Sequence, residues 1–301
     1  MNNAKQVNYV RWFEDLNSED VGEVGGKNAS LGEMVRALKK KHILVPDGFA
    51  TTTTAYWAFI KKNQLQDKII KLLKAYQQKE ASLQKTGQAI RDLFKQGEMP
   101  EDVSQAIAAA YKDLADRYEA KDVDVAARSS ATAEDMPEAS FAGQQESFLN
   151  VSGTDALLAA CKKCMASLFT DRAIAYREEK GFEHMKVALS VGVQKMVRSD
   201  LAGSGVLFTL DTDSGFPDVV LINAAWGLGE NVVQGTVNPD QYTVFKPFLG
   251  KDGIDPIIEK IRGSKEKKMV YAKTRPTKNL KTSKEERETY VLTNREIMQL
   301  A

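Results

Sequence analysis

Two short segments of the sequence combine a basic residue with residue types that bind anions. The first is the run 22–30, in which Gly25 and Gly26 precede Lys27. Glycines let a backbone approach a ligand closely, and a helix start presents unpaired N–H groups and the positive end of the helix dipole. Lys27 adds a full positive charge at the same place. The run favours phosphate binding, and a glycine turn beside a surface lysine is the alternative.

This first run does not follow the P-loop pattern of nucleotide-binding proteins. That pattern needs a glycine six positions before the lysine and a Ser or Thr directly after it. The corresponding residues are Val21 and Asn28. The phosphate hypothesis therefore depends on the glycines, the helix start and Lys27, and not on a P-loop.

The second segment begins where a predicted strand ends at Arg128. Ser129, Ser130 and Thr132 follow it, so a guanidinium fork stands next to several hydroxyl and N–H donors that can surround phosphate oxygens. We predict a loop over 129–144, and loops of about this length inside a compact chain are usually functional. A Ser/Thr-rich surface loop without a ligand is the alternative.

Other motifs in the sequence predict structural roles. Residues 225–232 begin like a dinucleotide fingerprint, but its last glycine position is Val232, so a turn is favoured. Cys161 and Cys164 form a CxxC pair inside a helical pattern with no second pair, which predicts inert thiols. Neither His42 nor His184 has the sequence context of a catalytic histidine. No metal site is predicted in these residues.

Length and charge exclude several classes of protein. The 301 residues suggest two domains or one large domain with two lobes. Lys and Arg number 42 against 41 Asp and Glu, so no charge excess calls for nucleic acid or an anionic membrane as a partner. The N-terminus lacks a signal-type apolar core, and the longest apolar runs are too short for a membrane span. A cytoplasmic protein is expected.

The order of predicted elements favours a mixed α+β fold. Leu31, Met34, Val35 and Leu38 recur at helical spacing and predict a helix over 28–41, the first of a helical N-terminal portion. Strict alternation over 187–193 predicts a strand, and a long helix is predicted over 155–179. Mostly strands follow, including one over 254–262. Because strands and helices do not alternate regularly, a doubly wound parallel sheet is disfavoured.

The chain resembles the N-terminal nucleotide-binding domain of the phosphoenolpyruvate synthase (pyruvate, water dikinase) family. The resemblance lies in residues 22–34, 45–52, 127–135, 140–145, 167–172 and 192–197, with further support in 223–230 and 263–265. It covers nearly the whole chain. The resemblance implies an ATP-grasp-like, two-lobed fold, with one lobe over 1–190 and a second, truncated lobe over 191–301.

The resemblance also implies roles for individual residues. Lys27 and Arg128 would contact the triphosphate, and residues 129–144, with Ser129, Ser130 and Thr132, would form the loop that covers the phosphates. Gln194, Met196 and Val197 would form the hinge segment against adenine. Of these roles, the hinge is supplied by the resemblance alone.

The implied reaction is a two-step phosphoryl relay. ATP phosphorylates a histidine on a swivelling domain, leaving AMP and phosphate, and the histidine then phosphorylates pyruvate in a barrel domain. The family's Mg²⁺ ligands, a phosphate-binding arginine, the phosphohistidine domain and the pyruvate-binding barrel are not found in residues 1–301. We therefore expect a fragment whose partners are ATP and those domains, and which does not complete the reaction alone. The sequence does not indicate an oligomeric state.

Three alternatives remain open at this point. The same domain occurs in sister families, including pyruvate phosphate dikinase and antibiotic phosphotransferases, which differ in the final acceptor. A stand-alone, non-catalytic nucleotide-binding or regulatory module is the second alternative. The third is nucleic-acid binding through the Lys-rich stretch 260–288, for which a solvated surface with a flexible loop over 274–284 is favoured because no aromatic residues are interleaved.

Overall fold

The structure divides into two compact units. A computed structural model describes residues 7–41, 43–132, 146–272 and 276–301, and the backbone of 135–136 and 139–140. The first unit ends at Met196 and the second is Val197–Ala301, whereas the family resemblance implies a boundary after residue 190. That the units are two lobes of one nucleotide-binding domain stays a prediction.

The first unit combines an antiparallel sheet with helices. Its elements in chain order are β1 (Val10–Trp12), α1 (Val21–Lys39), β2 (Gly48–Thr51), α2 (Thr53–Lys62), α3 (Leu65–Gln77), α4 (Leu83–Gln96), α5 (Glu101–Arg117), β3 (Val125–Ala131), β4 (Asp135–Met136), β5 (Ala139–Ser140), β6 (Ser147–Val151), α6 (Thr154–Ser167), α7 (Asp171–Glu179) and β7 (Leu189–Lys195). The main sheet has the order β1-β2-β7-β3-β6, and β4 pairs with β5.

Each neighbouring pair of strands in the main sheet is antiparallel. This agrees with the predicted mixed fold of helices and sheet and with the prediction against a doubly wound parallel sheet. Side chains alternate between the two faces of a strand. Phe49 of β2 and Ala127 of β3 accordingly lie in the large core that the sheet shares with α2–α6, whereas Ala50 lies in a smaller core with Val24 and Ala29 of α1.

The large core is centred on stacked aromatic rings. The ring centroids of Phe59 and Phe94 are 5.7 Å apart, and those of Phe94 and Phe169 are 5.6 Å apart. All three side chains are fully buried. Such rings bury large apolar areas and dominate the energetics of a core, so these contacts hold α2 against α4 and against the chain between α6 and α7.

The second unit contains a four-stranded antiparallel sheet and a hairpin. Its elements are β8 (Gly203–Phe208), β9 (Val219–Trp226), α8 (Glu230–Val233), β10 (Asp240–Phe245), β11 (Ile257–Ile261), β12 (Lys267–Tyr271), β13 (Thr277–Lys281), α9 (Lys284–Glu288) and α10 (Asn294–Leu300). The sheet order is β11-β10-β9-β8, and β12 pairs with β13. Gly227 directly follows β9 with a φ of 86°, so residues 225–232 include the predicted turn.

A buried ion pair stabilises the second unit. Lys265 Nζ donates to Asp240 Oδ1, and both side chains are 0% exposed. The carboxylate of Asp240 also accepts the N–H groups of Gly263 and Val291 at 2.9 and 2.8 Å. Lys265 further donates to the Gly263 carbonyl at 3.1 Å. Because each charge has several partners, this pair avoids the large cost of an uncompensated buried charge.

The predicted loop over 129–144 is wrong at its start. Ser129 and Ser130 belong to β3, in which they pair with Val191 and Ser190 of β7. Both are buried, because tertiary contacts on each side of the sheet satisfy their hydroxyls. Beyond Thr132 the backbone of β4 and β5 forms a short pair of strands, and residues 133–134, 137–138 and 141–145 lie outside the described residues.

Three other predicted elements differ from the structure. The helix over 155–179 is two helices, α6 and α7, because Thr170 caps α7 by accepting the N–H of Ala173 at 3.3 Å. The strand over 254–262 begins only at Ile257, after Pro256. The flexible loop over 274–284 is wrong for Thr277–Lys281, which pair with β12 as β13. Residue 274 lies outside the described residues.

A buried arginine–histidine contact connects α7 with the chain that follows it. Arg177 Nε donates to His184 Nδ1 at 2.9 Å, and His184 Nε2 lies 2.8 Å from Glu178 Oε1. Because Nδ1 accepts a hydrogen bond, the ring is neutral and carries its proton on Nε2. Burial lowers the pKa of His184, and the nearby Arg177 charge lowers it further, while Glu178 offsets part of this shift.

We predict that the free energy of unfolding decreases as the pH falls below about 6.5. In this range the unfolded chain protonates His184, whereas the folded chain, with its lowered pKa, stays neutral, so acid favours unfolding. His184→Gln keeps an acceptor for Arg177 without titrating. Urea denaturation of both proteins between about pH 5 and 6.5 should give a flatter slope for the variant, and equal slopes would contradict the prediction.

Candidate functional site

Strand β3 presents Arg128 on an otherwise buried strand. Of the residues Val125–Ala131, Arg128 alone is exposed. Side chains alternate along a strand, so Arg128 and Ser130 lie on the face of the sheet opposite to that of Ala127. Helix α1 covers the face of Arg128 and Ser130. On the neighbouring strand β7, Gly192 pairs directly with Arg128. Arg128 is therefore fixed at its backbone by two flanking strands while its guanidinium remains accessible.

A break in α1 brings its second half against β3. Gly25 has the non-helical angles φ 76° and ψ 161°, so the helix restarts directly before Lys27. A Cβ on Gly25 would lie 2.3 Å from Ser130 Oγ and 2.5 Å from the Ser130 carbonyl oxygen. Only glycine permits this approach. The predicted glycine break is thus present, within Val21–Lys39 rather than ahead of a helix that starts at residue 28.

Asn28 joins the restarted helix to two strands. Its backbone N–H donates to Ser130 Oγ at 3.4 Å, and its side-chain Nδ2 donates to Val24 O at 3.0 Å and to Ser190 Oγ at 2.9 Å. The side chain is buried and needs the space that Gly192 leaves, since a Cβ there would lie 2.2 Å from Asn28 Oδ1. These contacts determine where Lys27 stands relative to the sheet.

Lys27 and Arg128 line one cavity of about 350 Å³ in the first unit. Both side chains are exposed, and Ser129 and Gln194 line the same cavity. The remaining lining residues were not predicted as site residues, and they are Phe13, Asn28, Ser30, Leu31, Met34 and Gly192. Two cations beside the start of a helix make this cavity suited to a phosphate-bearing ligand.

Some of these additional lining residues carried a signal in the sequence. Asn28 and Ser30 lie in the glycine–lysine run itself. Leu31 and Met34 belong to the apolar stripe of α1, but Met34 is 48% exposed and lines the cavity instead of entering the core. Phe13 follows β1 and had no recognisable signal.

Four predicted site residues do not line this cavity. Ser130 is buried and accepts the Asn28 N–H, so it supports the helix start. The Thr132 hydroxyl lies 3.4 Å from the Ala188 carbonyl oxygen and accepts the Ala188 N–H at 3.3 Å. Met196 donates its N–H to Asp124 O at 3.0 Å, and its sulfur lies 2.8 Å from the Asn150 nitrogen. Val197 is 63% exposed and belongs to the second unit.

The two cysteines lie in the large core. Cys161 and Cys164 are fully buried in α6, and burial raises the pKa of Cys161 to about 12. A thiol with so high a pKa carries almost no thiolate at neutral pH, in keeping with the predicted inert pair. Among the described residues, no group of three or more His, Cys, Asp or Glu could hold a metal ion. His42 lies outside the described residues.

Comparison with known proteins assigns this architecture to a family. The family described as pyruvate phosphate dikinase, AMP/ATP-binding domain, matches residues 21–301. The chain belongs to this family. The resemblance inferred from the sequence motifs is therefore confirmed, and the cavity with Lys27 and Arg128 lies in a dikinase-type AMP/ATP-binding domain.

Several phosphoenolpyruvate synthases are similar to this AMP/ATP-binding domain. The protein from Synechocystis sp. is 54% identical over 99% of this chain, which corresponds to 37% of that protein. The protein from Aquifex aeolicus is 51% identical over 97% of this chain and 34% of its own length. The Escherichia coli protein is 47% identical over the whole chain and 38% of its own length. The chain thus spans little more than a third of these relatives.

Within the described ranges, no helix of this domain is both long enough and apolar enough to cross a bilayer.

We predict that Gly25→Ala lowers the free energy of unfolding by roughly 1–3 kcal/mol or more, because the residue has a positive φ and its Cβ would collide with Ser130. Gly22→Ala is the matched control in the same helix, since a Cβ there meets nothing within 4 Å. The control should be neutral or stabilise by about 0.5–1 kcal/mol. Urea denaturation measures both, and equal effects would refute the role of the close approach.

Proposed function

We propose that the cavity lined by Lys27 and Arg128 binds the triphosphate of ATP. The observation that carries the proposal is that these two cations, a hundred residues apart in the chain, line one cavity at the restart of α1. Lys27 supplies a point charge, and Arg128 supplies a fork that matches two phosphate oxygens. The family's description as an AMP/ATP-binding domain supports the same ligand.

The other predicted residues have direct or indirect proposed roles, depending on whether they line the cavity. Ser129 lines the cavity, but its N–H and its hydroxyl both donate to the Glu146 carbonyl, at 3.3 and 3.2 Å, so it would have to exchange one of these bonds to reach the phosphates. Ser130 and Thr132 would act indirectly, Ser130 by holding Asn28 and Thr132 by its hydrogen bonds to Ala188 across the β3–β7 pair. Phosphate binding in this proposal depends mainly on the strand and the helix start.

The adenine end of the nucleotide is proposed to lie near Gln194. Of the three predicted hinge residues, Gln194 lines the cavity, and its Nε2 donates to Pro46 O at 3.1 Å. This bond uses the amide nitrogen of Gln194. The amide oxygen is an acceptor, which suits it to the amino group of adenine. Met196 and Val197 would complete the hinge, and the two-lobed, ATP-grasp-like closure belongs to the same proposal.

We further propose that this domain serves the pyruvate, water dikinase reaction, in which ATP, pyruvate and water give phosphoenolpyruvate, AMP and phosphate. The 54% identity to a phosphoenolpyruvate synthase supports this choice over a sister dikinase. The phosphohistidine domain and the pyruvate-binding barrel would be its partners. His184 is not proposed as the phosphorylated residue, because both ring nitrogens already have partners.

The proposed chemical contribution of the domain is positioning and charge neutralisation. Phosphoryl transfer needs the phosphates held in line while their charge is compensated, and Lys27 and Arg128 would do both. Mg²⁺ commonly bridges phosphates in such reactions, but it needs oxygen ligands. The residues that line the cavity include no carboxylate, so the described part of the chain offers no built magnesium site there and no step is assigned to the metal.

We predict that Lys27→Ala and Arg128→Ala each weaken ATP binding by roughly 2–5 kcal/mol, which is about thirtyfold or more in Kd. Lys39→Ala is the control, because Lys39 is an exposed lysine at the other end of α1 and does not line the cavity. Isothermal titration calorimetry with ATP measures all three variants. Unchanged affinity in both cavity variants, with folding intact, would refute the proposed phosphate site.

A domain replacement tests the proposed reaction separately from binding. This chain would replace the matching 37% of the Synechocystis sp. phosphoenolpyruvate synthase. The chimera is expected to form AMP from ATP in a pyruvate-dependent manner, and Lys27→Ala in the chimera should abolish it. A chimera that binds ATP with normal affinity but forms no AMP would contradict the dikinase assignment and leave the ATP site intact.

A further inference from the structure

A second cavity of the first unit contains a buried arginine that the proposed function does not use. It has a volume of about 400 Å³ and is lined by α3, α7 and the chain after α7, through residues that include Leu73, Lys74, Arg177, Phe182 and His184. It shares no lining residue with the cavity of Lys27 and Arg128. A role in binding ATP therefore does not explain it.

Arg177 is fully buried and only partly hydrogen-bonded. Its side chain is 0% exposed, and its Nε donates to His184 Nδ1 at 2.9 Å. Nη1 and Nη2 have no hydrogen-bond partner in the described part of the chain. The guanidinium carbon lies 5.3 Å from the centroid of the Phe169 ring, a contact that offers no acceptor in the plane of the guanidinium. Up to four N–H donors thus remain to be satisfied.

The neighbouring carboxylate of Glu178 is already engaged with other groups. Glu178 Oε1 lies 2.8 Å from His184 Nε2 and accepts the Gln77 side-chain amide at 2.7 Å. His184 stands between this carboxylate and Arg177 as a neutral ring. The positive charge of Arg177 therefore has no hydrogen-bonded counterion within the described residues, although Glu178 contributes to the field that it experiences.

The arginine stays charged in spite of its burial. Burial lowers the pKa of Arg177 to about 10, which still leaves it protonated at neutral pH. Buried charges in proteins are normally paired, because an unpaired one is very costly. Among the described residues, no group makes the hydrogen bonds to Nη1 and Nη2 that would offset the cost of this charge.

Tyr56 adds another unsatisfied donor close to this charge. Its hydroxyl is buried and has no hydrogen-bond partner among the described residues. Burial raises the pKa of the phenol, and the charge of Arg177 partly opposes this shift, which places the two groups within electrostatic range of each other. The region therefore combines O–H and N–H donors with a positive charge, and none of these donors has a hydrogen-bond partner among the described residues.

We infer that the first unit binds a small monovalent anion beside the guanidinium of Arg177, reached from the cavity between α3 and α7. An anion accepts several N–H and O–H donors at once and neutralises the single uncompensated charge. The charges around the cavity favour one negative charge over two. Glu178 offsets Lys74, and Glu183 is paired with Lys186 at 2.9 Å, so the charge of Arg177 is the one left over. Halides and formate share this chemistry.

Anion-dependent stability tests this inference on the whole chain. Replacing gluconate by chloride, bromide or formate at constant ionic strength should raise the melting temperature in a saturable way. The unfolding constant should fall about tenfold at an anion concentration roughly nine times Kd. Sulfate should be less effective than chloride. Sulfate also stabilises proteins by exclusion from their surface, which gives a rise that does not saturate, so only the saturable part is compared. No saturable dependence on the small anions, or a larger saturable effect of sulfate, would overturn the site.

Variants on one helix provide the control. Arg177→Met should lose the anion effect, whereas Arg172→Met, which removes an exposed arginine from the same helix, should keep it. Bromide soaked into crystals of the unaltered chain gives a direct measurement that does not require Arg177→Met to fold. An anomalous peak within hydrogen-bond distance of Nη1 or Nη2 supports the inference. Water alone at that position contradicts it. Bromide at that position without any effect on stability also contradicts it, because it would be an adventitious ion only.

Discussion

The arrangement of the candidate site depends on the contact between the backbone of Gly25 and β3 at Ser130. Because Gly25 has no side chain, α1 can restart directly on the strand, and Ser130 Oγ accepts the N–H of Asn28. Asn28 in turn occupies the space beside Gly192 and donates to Ser190. The backbone positions of Lys27 and Arg128 are therefore set by buried contacts, and anion binding would need to order only their two exposed side chains.

Three kinds of positive charge in this chain show how burial decides what a cation can do. Lys27 and Arg128 are exposed at the wall of a cavity, so a ligand that enters the cavity can reach both charges. Lys265 is fully buried but has Asp240 and a carbonyl as partners, which makes it a structural group. Arg177 is equally buried, yet its two terminal nitrogens lack partners among the described residues. Burial without pairing is what separates it from Lys265.

The sequence predicted the elements whose pattern is local and missed those that tertiary contacts determine. The alternation of residues 187–193 and the apolar stripe of α1 identified a strand and a helix because their periods are strong. The polar hydroxyls of Ser129 and Ser130 favoured a loop in the sequence. In the structure, Ser129 Oγ donates to the Glu146 carbonyl, Ser130 Oγ accepts the N–H of Asn28 in α1, and backbone pairing with β7 extends β3 through both residues. The break between α6 and α7 depends on the cap at Thr170, a signal that a continuous helical pattern hides.

The candidate site shows the same difference between residues that local patterns predict and residues that tertiary contacts bring in. Lys27 and Arg128 could be chosen from sequence because each stands beside glycines or hydroxyls, but nothing in the sequence placed Phe13 or Gly192 beside them. The register of β3 and β7 explains the position of Gly192, since it aligns Arg128 with Gly192. In the proposed site, the phosphate contacts would come mainly from a strand, through Arg128, and from a helix start, through Lys27. Rigid elements of this kind hold charges more precisely than a loop, and this favours a preformed anion site.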